Sequence, residues 1–106
     1  MRVFRVQHKS ANQGPYNFDW KWRRSLLEMH EDCPRHPTPR FHQYKYLYGF
    51  MSMEDLITWF YEWLGPFAEN GFVVVEYFVP DCDVQLERSQ CSFDPTRAQA
   101  VNTITI

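Results

Sequence analysis

The chain reads as a small α+β domain: a mainly antiparallel sheet packed against one long amphipathic helix and one shorter helix. Three observations predict it. Residues 72–79 are a nearly unbroken run of β-branched and aromatic side chains, the mark of a central strand. Residues 53–64 repeat apolar side chains at helical spacing. Strand-like and helix-like stretches are interspersed rather than strictly alternating, which argues against a parallel α/β stack. The full 106 residues are expected to form one domain, because that length leaves little room for a second core.

The elements follow in chain order. Arg2–His8 alternates, with Val3, Arg5 and Gln7 facing one way and Phe4, Val6 and His8 the other, as a strand requires. Residues 10–15, ending in Gly14-Pro15, read as a loop. Asp19 is placed to cap a first helix running to about His30, with Trp22, Leu26 and Met29 on one side and Arg23 and Arg24 away from it. Three prolines in residues 33–39 make that stretch irregular, since each fixes φ and removes a backbone donor. Aromatic residues 44–50 fit a strand.

Ser52 caps the clearest element in the chain. At about 100° per residue, Met53, Leu56, Ile57, Phe60, Tyr61 and Leu64 gather on one face of a long helix. Glu54, Asp55, Thr58 and Glu62 gather opposite, with Trp59 and Trp63 on the flank. Gly65-Pro66 is read as its end and Asn70-Gly71 as the turn into the central strand. Short strands are expected at residues 84–86 and 90–93, and a helix start at Asp94-Pro95-Thr96. Residues 99–106 form an edge strand or a loose tail.

Composition narrows the function. Aromatic residues make up 18% of the chain (9 Phe, 6 Tyr and 4 Trp), which enlarges the core a small domain can build. Charged residues are 23%, close to the ordinary globular share, so disorder is not expected. The formal net charge of -2 supplies no global positive field, and nucleic acid is not the expected partner. No apolar run approaches a membrane span, and Met1-Arg2-Val3-Phe4-Arg5 lacks the apolar core of a signal peptide. Three cysteines with no CxxC pair point to free thiols in a reducing cytoplasm.

Candidate chemistry is sparse. His30, Cys33, His36 and His42 are the densest group of metal-ligand types, but the spacing matches no standard zinc site, and no metal or other cofactor is expected. Cysteine nucleophiles, carboxylate pairs and a phosphate-binding glycine loop all lack a local signature. Trp59 and Trp63, one turn apart, either widen the buried stripe or present an aromatic patch to a protein partner.

Arg5 in the first strand, Tyr48-Gly49-Phe50-Met51-Ser52 entering a helix with Trp59-Phe60, and residues 72–79 ending in Pro80-Asp81 resemble small ADP-ribosyltransferase-like folds. The same order resembles small proteins of phages and prophages. The transferase resemblance implies that Arg5 would hold the phosphates of NAD and that Ser52 would support the nicotinamide-ribose site. Its third position, a glutamate, aligns best with Gln90, with Glu87 nearby. A neutral amide lacks the charge that favours a developing cation, so the catalytic set is incomplete. The expectation is therefore a cytoplasmic phage or mobile-element protein that binds and inhibits a host protein, a defence component such as a CRISPR effector. Glu54 and Glu62 with Asp55 would form an acidic face able to mimic nucleic acid, and the alternative is an NAD-binding enzyme or pseudoenzyme built on Arg5, Ser52 and Gln90.

Overall fold

The computed structural model describes residues 1–10, 13–31 and 46–106. Among the described residues, six strands and three short α-helices make an α+β domain. In chain order these are β1 (Arg2–His8), α1 (Arg23–Met29), β2 (Leu47–Gly49), α2 (Met53–Trp59), α3 (Leu64–Glu69), β3 (Phe72–Phe78), β4 (Val84–Glu87), β5 (Gln90–Phe93) and β6 (Gln99–Ile104). The strands form two antiparallel sheets, ordered β1-β3-β6 and β2-β5-β4. Among the described residues, one isolated antiparallel bridge, between Phe4 and Phe50, links the edge of the first sheet to the second.

The strand β3 lies between β1 and β6, and five of its seven residues are buried. Both its faces meet apolar partners, which explains its continuous hydrophobic run. On one face Val6, Phe72 and Val74 pack with Leu26, Leu56, Phe60 and Phe67 from the helices. On the other, Val3, Val75 and Tyr77 pack with Cys91 and Phe93 of the second sheet. The first sheet is thus sandwiched between a helical layer and a smaller sheet.

The long amphipathic helix expected from residue 53 is not formed as one element. It breaks into α2, a one-turn 3-10 helix at Tyr61–Trp63, and α3. Pro66 supplies the reason. In a continuous helix it would leave the Glu62 carbonyl without a donor and press its ring on that carbonyl. Restarting at Leu64 puts Pro66 in the first turn, where its missing N–H costs nothing. Gly65-Pro66 therefore begins a helix rather than ending one, and Asn70 closes α3 by donating Nδ2 to the Pro66 carbonyl at 2.7 Å. The Ser52 cap is present: its hydroxyl accepts from the Asp55 amide at 3.1 Å.

The break also reassigns side chains. Phe60, Trp63 and Phe67 enter the core, whereas Ile57 and Tyr61 stay 40% and 73% exposed. The first helix is shorter than expected: Trp22 precedes it without a side-chain cap, Asp19 plays no part, and of the stripe Trp22, Leu26 and Met29 only Leu26 is buried. Trp20 takes the core position instead, donating its indole N–H to the Pro15 carbonyl at 2.7 Å while its ring meets Trp63, Phe67 and Phe72. Residues 15–17 and 21–22 are turns on either side of it. Among the described residues, no helix is long and apolar enough to cross a membrane.

Candidate functional site

A cavity of about 480 Å³ opens where β1 and β2 part. The two strands exchange hydrogen bonds at Phe4 and Phe50, 2.8 and 2.7 Å long. Continuing that antiparallel register would set Val6 opposite Tyr48, yet both line the cavity instead. The Arg5 side chain closes the end of the gap, donating Nη1 to the Tyr48 carbonyl at 2.8 Å. Its guanidinium also lies against Gly14, where an added Cβ would come within 3.1 Å of Nη2. Gln90, at the start of β5, reaches the same space, as do Arg23 and Leu27 of α1.

The walls mix aromatic residues, Tyr16, Tyr48, Phe50, Phe60 and His30, with polar and charged ones, Asn17, Arg23, Glu31 and Gln90. Arg5 is 6% exposed, and burial lowers its pKa to about 10. It therefore stays cationic at neutral pH, held in a low-dielectric setting where its field is strong. His30 stacks on Trp59 with ring centroids 4.7 Å apart and meets Tyr16 and Phe60 edge-on. Loss of hydration lowers its pKa, and the nearby Glu62 carboxylate opposes that shift.

The three residues singled out by the transferase resemblance are not all brought together. Arg5 and Gln90 share the cavity, but Ser52 caps α2 and is not among the lining residues. Of the histidine and cysteine group, His30 is packed among aromatic rings, whereas Cys33, His36 and His42 lie outside the described residues. No cluster of three or more metal-ligand side chains occurs among the described residues.

The two tryptophans turn inward. Trp63 is 8% exposed against Trp20, and Trp59 is half-buried, donating its indole N–H to the Tyr16 hydroxyl at 2.8 Å. Neither is a free aromatic patch, because the 3-10 turn rotates Tyr61 outward in their place. Glu54, Asp55 and Glu62 are exposed on the same helical segment as Tyr61 and Ile57. The electrostatics of this face extend well beyond it. No Lys or Arg occurs between Lys45 and Arg88, a stretch with eight carboxylates. Residues 1–45 carry nine basic and four acidic side chains and residues 46–106 two and nine, giving nets of +5 and -7 within the overall -2. That division was legible in the sequence and is hidden by the near-neutral total.

Against models of known protein families, residues 1–106 match the family described as Bacteriophage T4 Y00F protein, and the chain belongs to that family. It is thus a phage protein by family, as one half of the sequence resemblance implied. No curated protein and no solved structure matches the chain. The resemblance to ADP-ribosyltransferase-like folds finds no support in these comparisons.

Proposed function

We propose that this phage family member acts by binding a host protein, laying the outer face of α2 and the following turn on a basic surface of its target. The observation that carries the reading is Tyr61, 73% exposed beside Ile57 and set among Glu54, Asp55 and Glu62, on a segment with no basic residue. An exposed aromatic ring is an economical anchor for a protein interface, because it buries much area at small conformational cost. Surrounding carboxylates steer it toward positive charge and reject acidic partners. Basic surfaces that accept such a face are commonly those that hold nucleic acid, so occupation inhibits by competition. A nucleic-acid-handling defence component of the host fits this description.

The test compares the wild-type chain with Glu54→Lys/Glu62→Lys and Tyr61→Ala as immobilised baits in host extract, with the retained proteins identified. All three positions are exposed, so folding should survive. The expected result is a basic nucleic-acid-binding protein retained by the wild type, released by salt, and lost with the double charge reversal. Equal retention of the same proteins by wild type and double variant would sink the proposal.

A further inference from the structure

The outer edge of β6 is a surface that neither the cavity nor the acidic face uses. From it we infer that two copies of this chain pair antiparallel through β6, joining their three-stranded first sheets into one of six strands. β6 ends the sheet β1-β3-β6, and among the described residues no strand pairs with its other side. Alternate residues of an antiparallel edge strand turn their backbone N–H and C=O groups outward, a ready template for another strand. Residues 99–103 are all exposed, so that row of groups is accessible.

Native edges are guarded by charge, proline, shortness or a bulge. Residues 98–106 contain no charged side chain, no proline and no glycine. The other edges differ. β1 carries Arg2 and Arg5 and is bridged to Phe50, while β2 and β4 are three and four residues long, with Glu87 ending β4. β6 has one bulge, where its register with β3 shifts and Val101 is left without a partner. That bulge lies near the start of the strand, and Asn102 to Ile104 continue in register with β3.

Symmetry and charge favour a second copy as the occupant. Two identical antiparallel strands in one sheet are related by a two-fold axis through the sheet, so each face meets itself. Ile104 and Ile106, already packed on the helix-side core, meet their copies on that face. Thr103 and Thr105 alternate with them and meet their copies on the other face. Thr–Thr pairs can hydrogen-bond across the axis, and the isoleucines extend the apolar layer. The nine carboxylates of residues 46–106 all precede residue 98, so the two strands set no like-charged side chains opposite one another. No residue of β6 belongs to the acidic face, so this pairing and the host-binding reading fail separately.

Sedimentation equilibrium of the full chain, from micromolar to submillimolar concentration, tests the inference. The wild type should pass reversibly from one chain to two. Thr103→Lys/Thr105→Lys sets like charges against one another in the pair. Both sites are exposed, so at low concentration its thermal midpoint should stay close to wild type. Its dimer should be at least about tenfold weaker. Hydrogen exchange of the wild type should show β6 amides gaining protection as the dimer forms. A single-chain mass at every concentration, a dimer equally strong in the variant, or β6 amides that gain no protection would overturn the inference. A wild-type chain that stays single, yet retains a host protein that the variant loses, would assign the edge to a foreign strand and overturn the pairing as well.

Discussion

Phe4 and Phe50 donate to and accept from one another's backbones at 2.8 and 2.7 Å, and this pair joins the backbones of the two sheets beside the cavity. The pairing is possible because the neighbouring residue is Gly49. A Cβ there would come within 2.6 Å of Val3 Cγ1 and 2.8 Å of the Phe4 carbonyl oxygen. Neither atom can swing aside, since Val3 is fully buried and the other is backbone.

Gly49→Ala should therefore cost about 2–3 kcal/mol, in the range of overpacked cores. Urea unfolding reads this as a lower midpoint at unchanged slope. A loss under about 0.5 kcal/mol, the size of an ordinary surface change, would show that the junction is not tightly packed.

His30 makes stability depend on pH. Its folded-state pKa lies below the ordinary 6.5, because stacking on Trp59 removes water from the ring; Glu62 offsets this only in part. Below pH 6.5 the unfolded chain takes up a proton that the folded chain resists. Unfolding then binds protons, and stability falls as pH drops from 6.5 to the folded value, below which this contribution is fully lost. His30→Phe keeps a flat ring on Trp59 and removes the titration. Denaturation midpoints measured across this range should fall less steeply with acid for the variant than for the wild type, and parallel slopes would contradict the assignment.

Much of this architecture was legible because it depends on local pattern. The strand at residues 72–79, the β4 and β5 hairpin and the Ser52 cap each carry their signal within a few residues. The long helix failed where two local signals competed. Apolar spacing ran on through Leu64, while Pro66 forbade a donor to the Glu62 carbonyl, and steric exclusion outweighs periodicity. The same break turns Tyr61, expected on the apolar face, outward and carries Trp63 from the flank into the core, since one 3-10 turn advances the chain by 120° per residue rather than 100°. Of the cavity, only the convergence of Arg5 and Gln90 was anticipated, through the transferase resemblance. Arg5, Gly14, Arg23 and Gln90 meet through a strand divergence and tertiary packing that no single-chain periodicity encodes.

Cys91 and Cys82 should differ sharply in reactivity. Cys91 is fully buried between β2 and the hairpin partner β4, and burial pushes its thiol up to about 12. The thiolate is the nucleophile, so at pH 8 the folded protein should present almost none of it at this position. Cys82 is exposed. With iodoacetamide and peptide mapping, Cys82 should be modified in the native protein and Cys91 only after denaturant is added. Comparable labelling of both in the native state would mean that the second sheet opens readily.

The hairpin between β4 and β5 contains a stabilisation left unused. Glu87 pairs with Gln90, which leaves Arg88 and Ser89 as a two-residue turn, and Arg88 sits at φ 50°. A left-handed backbone crowds the Cβ of an L residue against its carbonyl, at roughly 1–2 kcal/mol, whereas glycine at the first turn position is free of that contact. Arg88 is exposed, so little packing is lost with its side chain. The offset is the larger backbone freedom that glycine gives the unfolded chain, about 0.5–1 kcal/mol. Arg88→Gly should therefore raise stability by about 0.5–1 kcal/mol, which for a domain of this size is a Tm gain of roughly 2–6 °C. Calorimetry of the pair of proteins measures it directly. A lower Tm for the glycine variant would show that the arginine side chain holds the turn through contacts stronger than the backbone strain it imposes.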